Sequence, residues 1–262
     1  MCRWLAYQGE PTWLETLVSA PSHSLVAQSL HADEAKTTTN GDGFGLGWYG
    51  ARECPGLYRE IRPAWSDENL KSLCAQVQSH LFFAHVRAST GTAIARANCH
   101  PFVHGKMMFM HNGQIGNYAA IRRRLDMLIP DELYARREGS TDSEAIFLAA
   151  IGAGLEHDPV GALAATLNRV RTMMLETGTT EALRFTSAIS NGEDLYAVRW
   201  ASDERAPSLY YRETEDALVV VSEPLDSDRT CWKEVPKGCT LIARKGEKLR
   251  VRCMNEAMRL AA

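Results

Sequence analysis

An α+β layered fold is what the sequence predicts, and three observations predict it. Short apolar runs of strand length open the chain and recur as far as His111. Helical periodicity then dominates from Asn117 to Leu175. From Leu183 onward short strands follow one another, parted by the turn signals Asn191-Gly192, Pro236-x-Gly238 and Lys245-Gly246. Strands, then helices, then strands argue for segregated layers rather than an alternating parallel sheet. With 262 residues the chain is long enough for a well-buried core in one large domain or two small ones. No internal repeat, low-complexity segment or linker divides it.

Each element has its own signal. Cys2 to Gln8 alternates apolar and polar residues and reads as a strand. Leu14 to Leu30 reads as mixed helix and loop, with Pro11 and Pro21 as breaks. Gly41-Asp42-Gly43-Phe44-Gly45-Leu46-Gly47 reads as a glycine-rich loop. Its end, Gly45-x-Gly47-x-x-Gly50, matches a dinucleotide fingerprint in letters only. The Ala51-Arg52-Glu53-Cys54-Pro55 that follows cannot open the required helix. Asp67 to Gln78 reads as a helix capped by Ser66 or Asp67. Leu81 to Arg87 and Lys106 to His111 read as buried strands, the second stopping at the turn dipeptide Asn112-Gly113. The next helix opens at Ser140 or Thr141, with Ser143 or Glu144 three residues on. Asp158-Pro159 starts another, to Leu175. The expected later strands are Arg184–Ser190, Leu195–Trp200, Leu209–Arg212, Ala217–Ser222, Thr240–Ala243 and Lys248–Arg252.

Composition excludes several functions. A net charge of −3 offers no electrostatic case for nucleic acid or an anionic membrane. The clusters Arg122-Arg123-Arg124 and Arg136-Arg137 read as solvated faces. The seven cysteines are odd in number, scattered and without a C-x-x-C, which suits free thiols in a reducing compartment. No apolar run approaches the roughly 18 residues of a membrane span, and no secretory signal opens the chain, so a cytoplasmic location is expected. His100-x-x-x-His104 has a metal-like spacing, but Pro101 denies it a helix, and no metal or other cofactor is expected.

The candidate chemistry begins at Cys2. Removal of Met1 would leave a residue carrying both a thiol and a free α-amine. The amine titrates at roughly 7.7–8.0 in model compounds, so it can serve as a base at neutral pH. Further along, Arg87, Asn112-Gly113 and Asp142 each have a plain structural reading, as a surface ion pair, a turn and a helix cap. Their combination is what points to chemistry. A terminal nucleophile needs an oxyanion hole, and a substrate with an amino-acid head group needs one fixed cation and one fixed anion.

In that combination the sequence resembles the class II, or N-terminal nucleophile, glutamine amidotransferases. The segments that carry the resemblance occur in the family's order. They are Met1-Cys2, Gly41-Asp42-Gly43-Phe44-Gly45, His85-Val86-Arg87, Asn98-x-His100-Pro101 with His111-Asn112-Gly113, and Ser140-Thr141-Asp142-Ser143-Glu144. The resemblance implies a four-layer αββα sandwich with two mainly antiparallel sheets, formed by residues 1–262 as a single amidotransferase type-2 domain with no fused synthase domain. It implies Cys2 as nucleophile, with Asn112 and Gly113 as the oxyanion hole. Arg87 would hold the α-carboxylate and Asp142 the α-ammonium, with Thr90, His100 and Gly43 supporting substrate binding. The implied reaction is hydrolysis of a γ-glutamyl amide to glutamate through a thioester. The alternatives are a glutaminase subunit delivering ammonia to a separate synthase, and a catalytically silent binding protein of the same fold. Many relatives place an aromatic residue after the arginine and a histidine soon after the threonine, whereas this chain has Arg87-Ala88-Ser89-Thr90-Gly91. The nearest likeness is to short, stand-alone members, such as the γ-glutamyl amidohydrolase of ergothioneine synthesis. Neither the leaving group nor an oligomeric state is legible in the residues.

Overall fold

A computed structural model describes residues 2–34, 39–89 and 91–254. Its strands are β1 (Arg3–Trp13), β2 (Phe44–Trp48), β3 (Gly56–Glu60), β4 (Gln78–Val86), β5 (Phe102–His104), β6 (Met107–Ile115), β7 (Leu183–Ser190), β8 (Leu195–Ala201), β9 (Tyr210–Glu213), β10 (Ala217–Val221), β11 (Lys233–Glu234), β12 (Cys239–Ala243) and β13 (Arg250–Cys253). The helices are α1 (Glu15–Val18), α2 (Leu25–Leu30), α3 (Glu68–Gln76), α4 (Tyr118–Asp126), α5 (Asp131–Tyr134), α6 (Asp142–Gly152) and α7 (Pro159–Glu176). One sheet has the order β11-β9-β10-β1-β4-β2-β3 and the other β13-β12-β8-β7-β6-β5. Neighbouring strands pair antiparallel in both.

Three apolar clusters fill three gaps, and so define four layers. Leu17, Leu25 and Leu70 of the first helices pack on Leu5, Phe44 and Phe82 of the seven-stranded sheet. Trp4, Ala6, Leu81, Phe83, Met108, Met110 and Ala197 fill the space between the sheets. Ile121, Ile146, Leu163 and Leu167 cover Phe109, Phe185 and Val198 on the far face of the six-stranded sheet. The order is αββα, as the resemblance implies. Strands covered on both faces read as continuous apolar runs rather than clean alternations, which explains Leu81–Phe83 and Met107–Met110.

The period of two sorts the polar ends of these strands. In β1, Trp4 and Ala6 face the inter-sheet gap, and Cys2 shares their parity. In β4, Leu81 and Phe83 face it, and His85 and Arg87 follow in step. In β6, Met108 and Met110 face it, and Asn112 comes next. Thiol, guanidinium and amide are therefore delivered to one end of the gap by strand geometry alone.

Several local expectations are corrected. Asn112-Gly113 is not a turn, because β6 continues through it in register with Thr186 and Phe185 of β7. Eight paired positions outweigh one dipeptide preference. The glycine-rich stretch turns into strand β2 at Phe44. Gly45 is required there because a Cβ would stand 2.0 Å from the His100 carbonyl oxygen. Pro11 does not end β1, but lies within a register shift between Gln8 and Thr12. The short elements β3, β11 and α5 had no sequence signal strong enough to mark them. Caps settle two open choices: Asp67 accepts the Leu70 N–H at 2.7 Å, and Thr141 accepts the Glu144 N–H at 3.2 Å. Among the described residues, no helix is long and apolar enough to cross a membrane.

One buried carboxylate ties the N-terminal strand to its surroundings. Glu223 pairs with Arg3 at 2.9 Å and His23 at 2.6 Å, and accepts the N–H groups of Asp33 and Glu34 at 2.8 and 3.0 Å. Burial pushes its pKa up, but these donors outweigh it and hold the carboxyl below its usual range. His23, Asp33 and Glu223 have the spacing of a cation site. The Glu223 oxygens are already taken, one of them by a guanidinium, so the cluster reads as an internal tie.

Candidate active site

The described candidates among Cys2, Arg87, His100, Asn112, Gly113 and Asp142 line one cavity of about 270 Å³. Ser89, Thr92, Asn98, His111, Tyr118 and Ser143 complete much of its wall. Thr90 lies outside the described residues, as does Thr38 on the side where a leaving group is expected. Asn40 turns away, donating its side-chain amide to the Gln28 carbonyl at 3.2 Å. Gly43 is not in the lining. It stands behind Arg87, whose N–H donates to the Gly43 carbonyl at 2.8 Å. With φ +116° and Cys99 Sγ 2.7 Å from where a Cβ would be, this position needs glycine.

Cys2 sits at the cavity floor against the backbone of Ala88, whose N–H donates to Sγ at 3.3 Å. Burial pushes the thiol above its usual pKa. The Ala88 N–H and the charges of Arg87 and Arg3 offset this only in part. The group is therefore a thiol at neutral pH and needs a base to become a nucleophile. Asn112 bridges the two sheets, donating one amide hydrogen to the Cys2 carbonyl at 2.6 Å. Its second hydrogen remains for another acceptor.

Arg87 is 3% exposed. One Nη donates to Thr92 Oγ1 at 2.7 Å, the Ala93 carbonyl at 3.1 Å and Ser89 Oγ at 3.3 Å. The other donates to the Asp42 carbonyl at 3.4 Å. Among the described residues no carboxylate lies within ion-pair distance of it, whereas the other buried arginine, Arg3, pairs with Glu223. A buried cation held only by neutral acceptors is costly unless an anion is bound there.

Asp142 mirrors it. As the first residue of α6 it stands in the positive field of the helix N-terminus. Its carboxylate accepts the Ile115 N–H at 2.9 Å and the Ser143 hydroxyl at 3.3 Å. Among the described residues no lysine or arginine pairs with it. Glu144 steadies this helix start by accepting the N–H groups of Glu138 and Gly139 at 2.9 and 2.7 Å. Asn98 links the same loop to the one after Arg87, accepting the Ser140 N–H at 2.8 Å and donating to the Ala93 carbonyl at 2.8 Å.

Three histidines pack between the anchors. His85 and His100 lie ring to ring at 4.3 Å, and His111 stacks on Phe185 at 4.5 Å. Burial drives His85 down to about 3, aided by Arg87. Burial, then His85 and the other nearby positive groups, put His100 well below its usual range, and burial lowers His111 as well. All three are neutral at pH 7, so Arg87 remains the cation of the cavity. Ser89, Thr92 and Tyr118 were given no role from the sequence, and Ser143 entered only as a cap partner and within the motif Ser140-Thr141-Asp142-Ser143-Glu144. Hydroxyls in loops and at helix starts carry no pattern that separates them from ordinary turn and cap residues.

Comparisons with known proteins identify the family of the chain. The family model described as "Glutamine amidotransferases class-II" matches residues 16–211, which include Arg87, Asn112, Gly113 and Asp142 but not Cys2. The probable glutamine amidotransferase DUG3 of Saccharomyces cerevisiae is 32% identical, over 94% of this chain and 82% of its own. The gamma-glutamyl-hercynylcysteine sulfoxide hydrolase of Mycolicibacterium smegmatis is 27% identical, over 90% of this chain and 92% of its own. A solved glutamine aminotransferase class-II domain protein of Silicibacter pomeroyi is 40% identical with a TM-score of 0.76, covering 96% of this chain and 99% of the other. The chain is an enzyme that belongs to the class II glutamine amidotransferases.

Proposed function

We propose that this enzyme hydrolyses a γ-glutamyl amide, either glutamine or a larger γ-glutamyl compound, with Cys2 as nucleophile. One observation carries the reading. Among the described residues, a buried arginine without a carboxylate and an aspartate without a lysine or arginine face the same cavity as the thiol. A free amino-acid head group is the ligand that completes both.

In this reading the α-carboxylate binds Arg87 and the α-ammonium binds Asp142, which fixes the γ-carbonyl over Cys2. Because burial keeps the thiol protonated, the α-amine of a chain that has lost Met1 takes its proton. Attack gives a tetrahedral oxyanion that the free Asn112 amide hydrogen and the Gly113 N–H receive. Collapse expels the amine, which leaves with the proton, and water then releases glutamate from the thioester. The names of the relatives support both an amidotransferase and a γ-glutamyl hydrolase.

The test is a panel of γ-glutamyl amides and peptides assayed for glutamate release, alongside the intact mass of the protein. Met1-free protein should turn over at least one member. Activity should fall on acidification, as an amine of pKa roughly 8 takes up its proton. Equal activity in a form that retains Met1 would sink the amine-base mechanism.

A further inference from the structure

Outside the catalytic cavity, one pair of cysteines stands out. Cys239 begins β12 and Cys253 ends β13, and they are direct partners in the antiparallel register. The Met254 N–H donates to the Gly238 carbonyl at 2.6 Å. A bond between the residue after one member and the residue before the other marks the pair itself as non-hydrogen-bonded. In such pairs the Cα atoms are about 4.5 Å apart and the side chains leave the same face toward each other. A disulfide accepts Cα separations of about 4.4–6.8 Å, so no backbone movement is needed to join these two.

Their setting differs from that of the two buried thiols. Cys74 and Cys99 are buried, and burial pushes them up to about 12 and about 11, out of reach of exchange chemistry. Cys253 is exposed and Cys239 half-buried. Burial raises the Cys239 thiol, and the neighbouring Cys253 raises it further. β13 is the outermost strand of its sheet and pairs only with β12. Among the described residues its strand pairing therefore rests on this one ladder, beside the burial of Met254.

We propose that Cys239 and Cys253 form a reversible redox pair, in which a low-molecular-weight disulfide converts the two thiols into a cross-strand bond that staples β13 to β12. The exposed Cys253 thiolate attacks the small disulfide, breaks its S–S bond and expels one thiolate, which is protonated. Cys239, as thiolate, then attacks Cys253 Sγ and expels the second. The protein loses two thiol hydrogens and two electrons, and the small disulfide is reduced to two thiols. The pair was invisible in the sequence because strand pairing, not spacing, brings the two residues together.

The test uses the full chain with 2-hydroxyethyl disulfide, which carries no γ-glutamyl group and so is no substrate of the proposed activity. After the remaining thiols are alkylated, trypsin digestion without reductant should yield Gly238–Arg244 linked to Cys253–Arg259. Excess dithiothreitol should abolish the link. Cys239→Ser should stop at a mixed disulfide on Cys253, and Cys253→Ser should give no link. The oxidised wild type should show a higher Tm than the reduced one, with no such rise in Cys253→Ser. Basal glutamate release should be the same in both variants and in wild type. A stable adduct on wild-type Cys253 without the linked peptide, or Cys239 joined to another cysteine, would overturn the proposal.

Discussion

The two sheets contribute differently to the candidate site. The seven-stranded sheet supplies Cys2 and Arg87, the proposed nucleophile and carboxylate anchor. Both are delivered by strand alternation at the ends of β1 and β4. The six-stranded sheet supplies Asn112 and Gly113 from within β6, with Asp142 added by helix α6 at the strand's end. The first half is held by a loop, since Arg87 is fastened through Ser89, Thr92 and Ala93. The second is held by regular structure: a strand ladder, a capped helix and a carboxylate on a backbone N–H. One direct bond, from Asn112 to the Cys2 carbonyl, joins the halves. The proposed oxyanion half of the site thus rests on regular structure, while the proposed carboxylate anchor rests on a loop.

That contrast can be broken by experiment. The largest effect should come from Cys2→Ala, which should lower glutamate release by at least about 10³-fold with the fold intact, as judged by circular dichroism. Asn112→Ala should lower kcat by about 10²–10³-fold and leave KM nearly unchanged, because in the proposed mechanism its second amide hydrogen is used only in the transition state. A large rise in KM instead would mean that Asn112 grips the substrate. Arg87→Ala and Asp142→Asn should act the other way, raising KM by about 10–10²-fold, the scale of a lost charge-assisted contact. A substrate cycle sharpens this. An analogue lacking the α-carboxylate should be poor for the wild type and no poorer for Arg87→Ala, while one lacking the α-amine should behave so with Asp142→Asn. If both variants respond alike to both analogues, the assignment of the anchors fails.

The smallest effect concerns the histidines packed between the halves. His85, His100 and His111 are held neutral in the folded protein, whereas an unfolded chain protonates them below about pH 6.5. Their folded pKa values are depressed, so unfolding takes up protons between the folded values and about 6.5. Stability is then highest above that pH and falls as the pH is lowered. Each such histidine can contribute a slope of at most roughly 1 kcal/mol per pH unit over that window. Urea midpoints between about pH 7.5 and 5.5 should show the fall, and His100→Phe should flatten it. An unchanged slope in that variant would mean that His100 is not buried neutral.

Much of the site was legible before the fold was known. Asp67, Thr141 and Asp158 announce their helices, because capping is local chemistry. Cys2, Arg87, Asn112 and Asp142 were legible as a set through the family's motifs, and their common direction follows from strand parity. What was misread was misread for a physical reason. Asn112-Gly113 has the letters of a turn, and Gly45 and Gly47 those of a loop, but pairing partners distant in sequence decided both.

By itself, then, the sequence determined the layered fold class, several helix starts and the candidate residues for the chemistry. These depend on periodicity and on side-chain type. Only the tertiary structure decided that Arg87 and Asp142 face one cavity without counter-ions among the described residues, that Asn112 reaches across to Cys2, and that Cys239 opposes Cys253. Those facts depend on the register between strands far apart in the chain and on the stacking of two sheets, where a shift of one residue would turn each side chain to the opposite face.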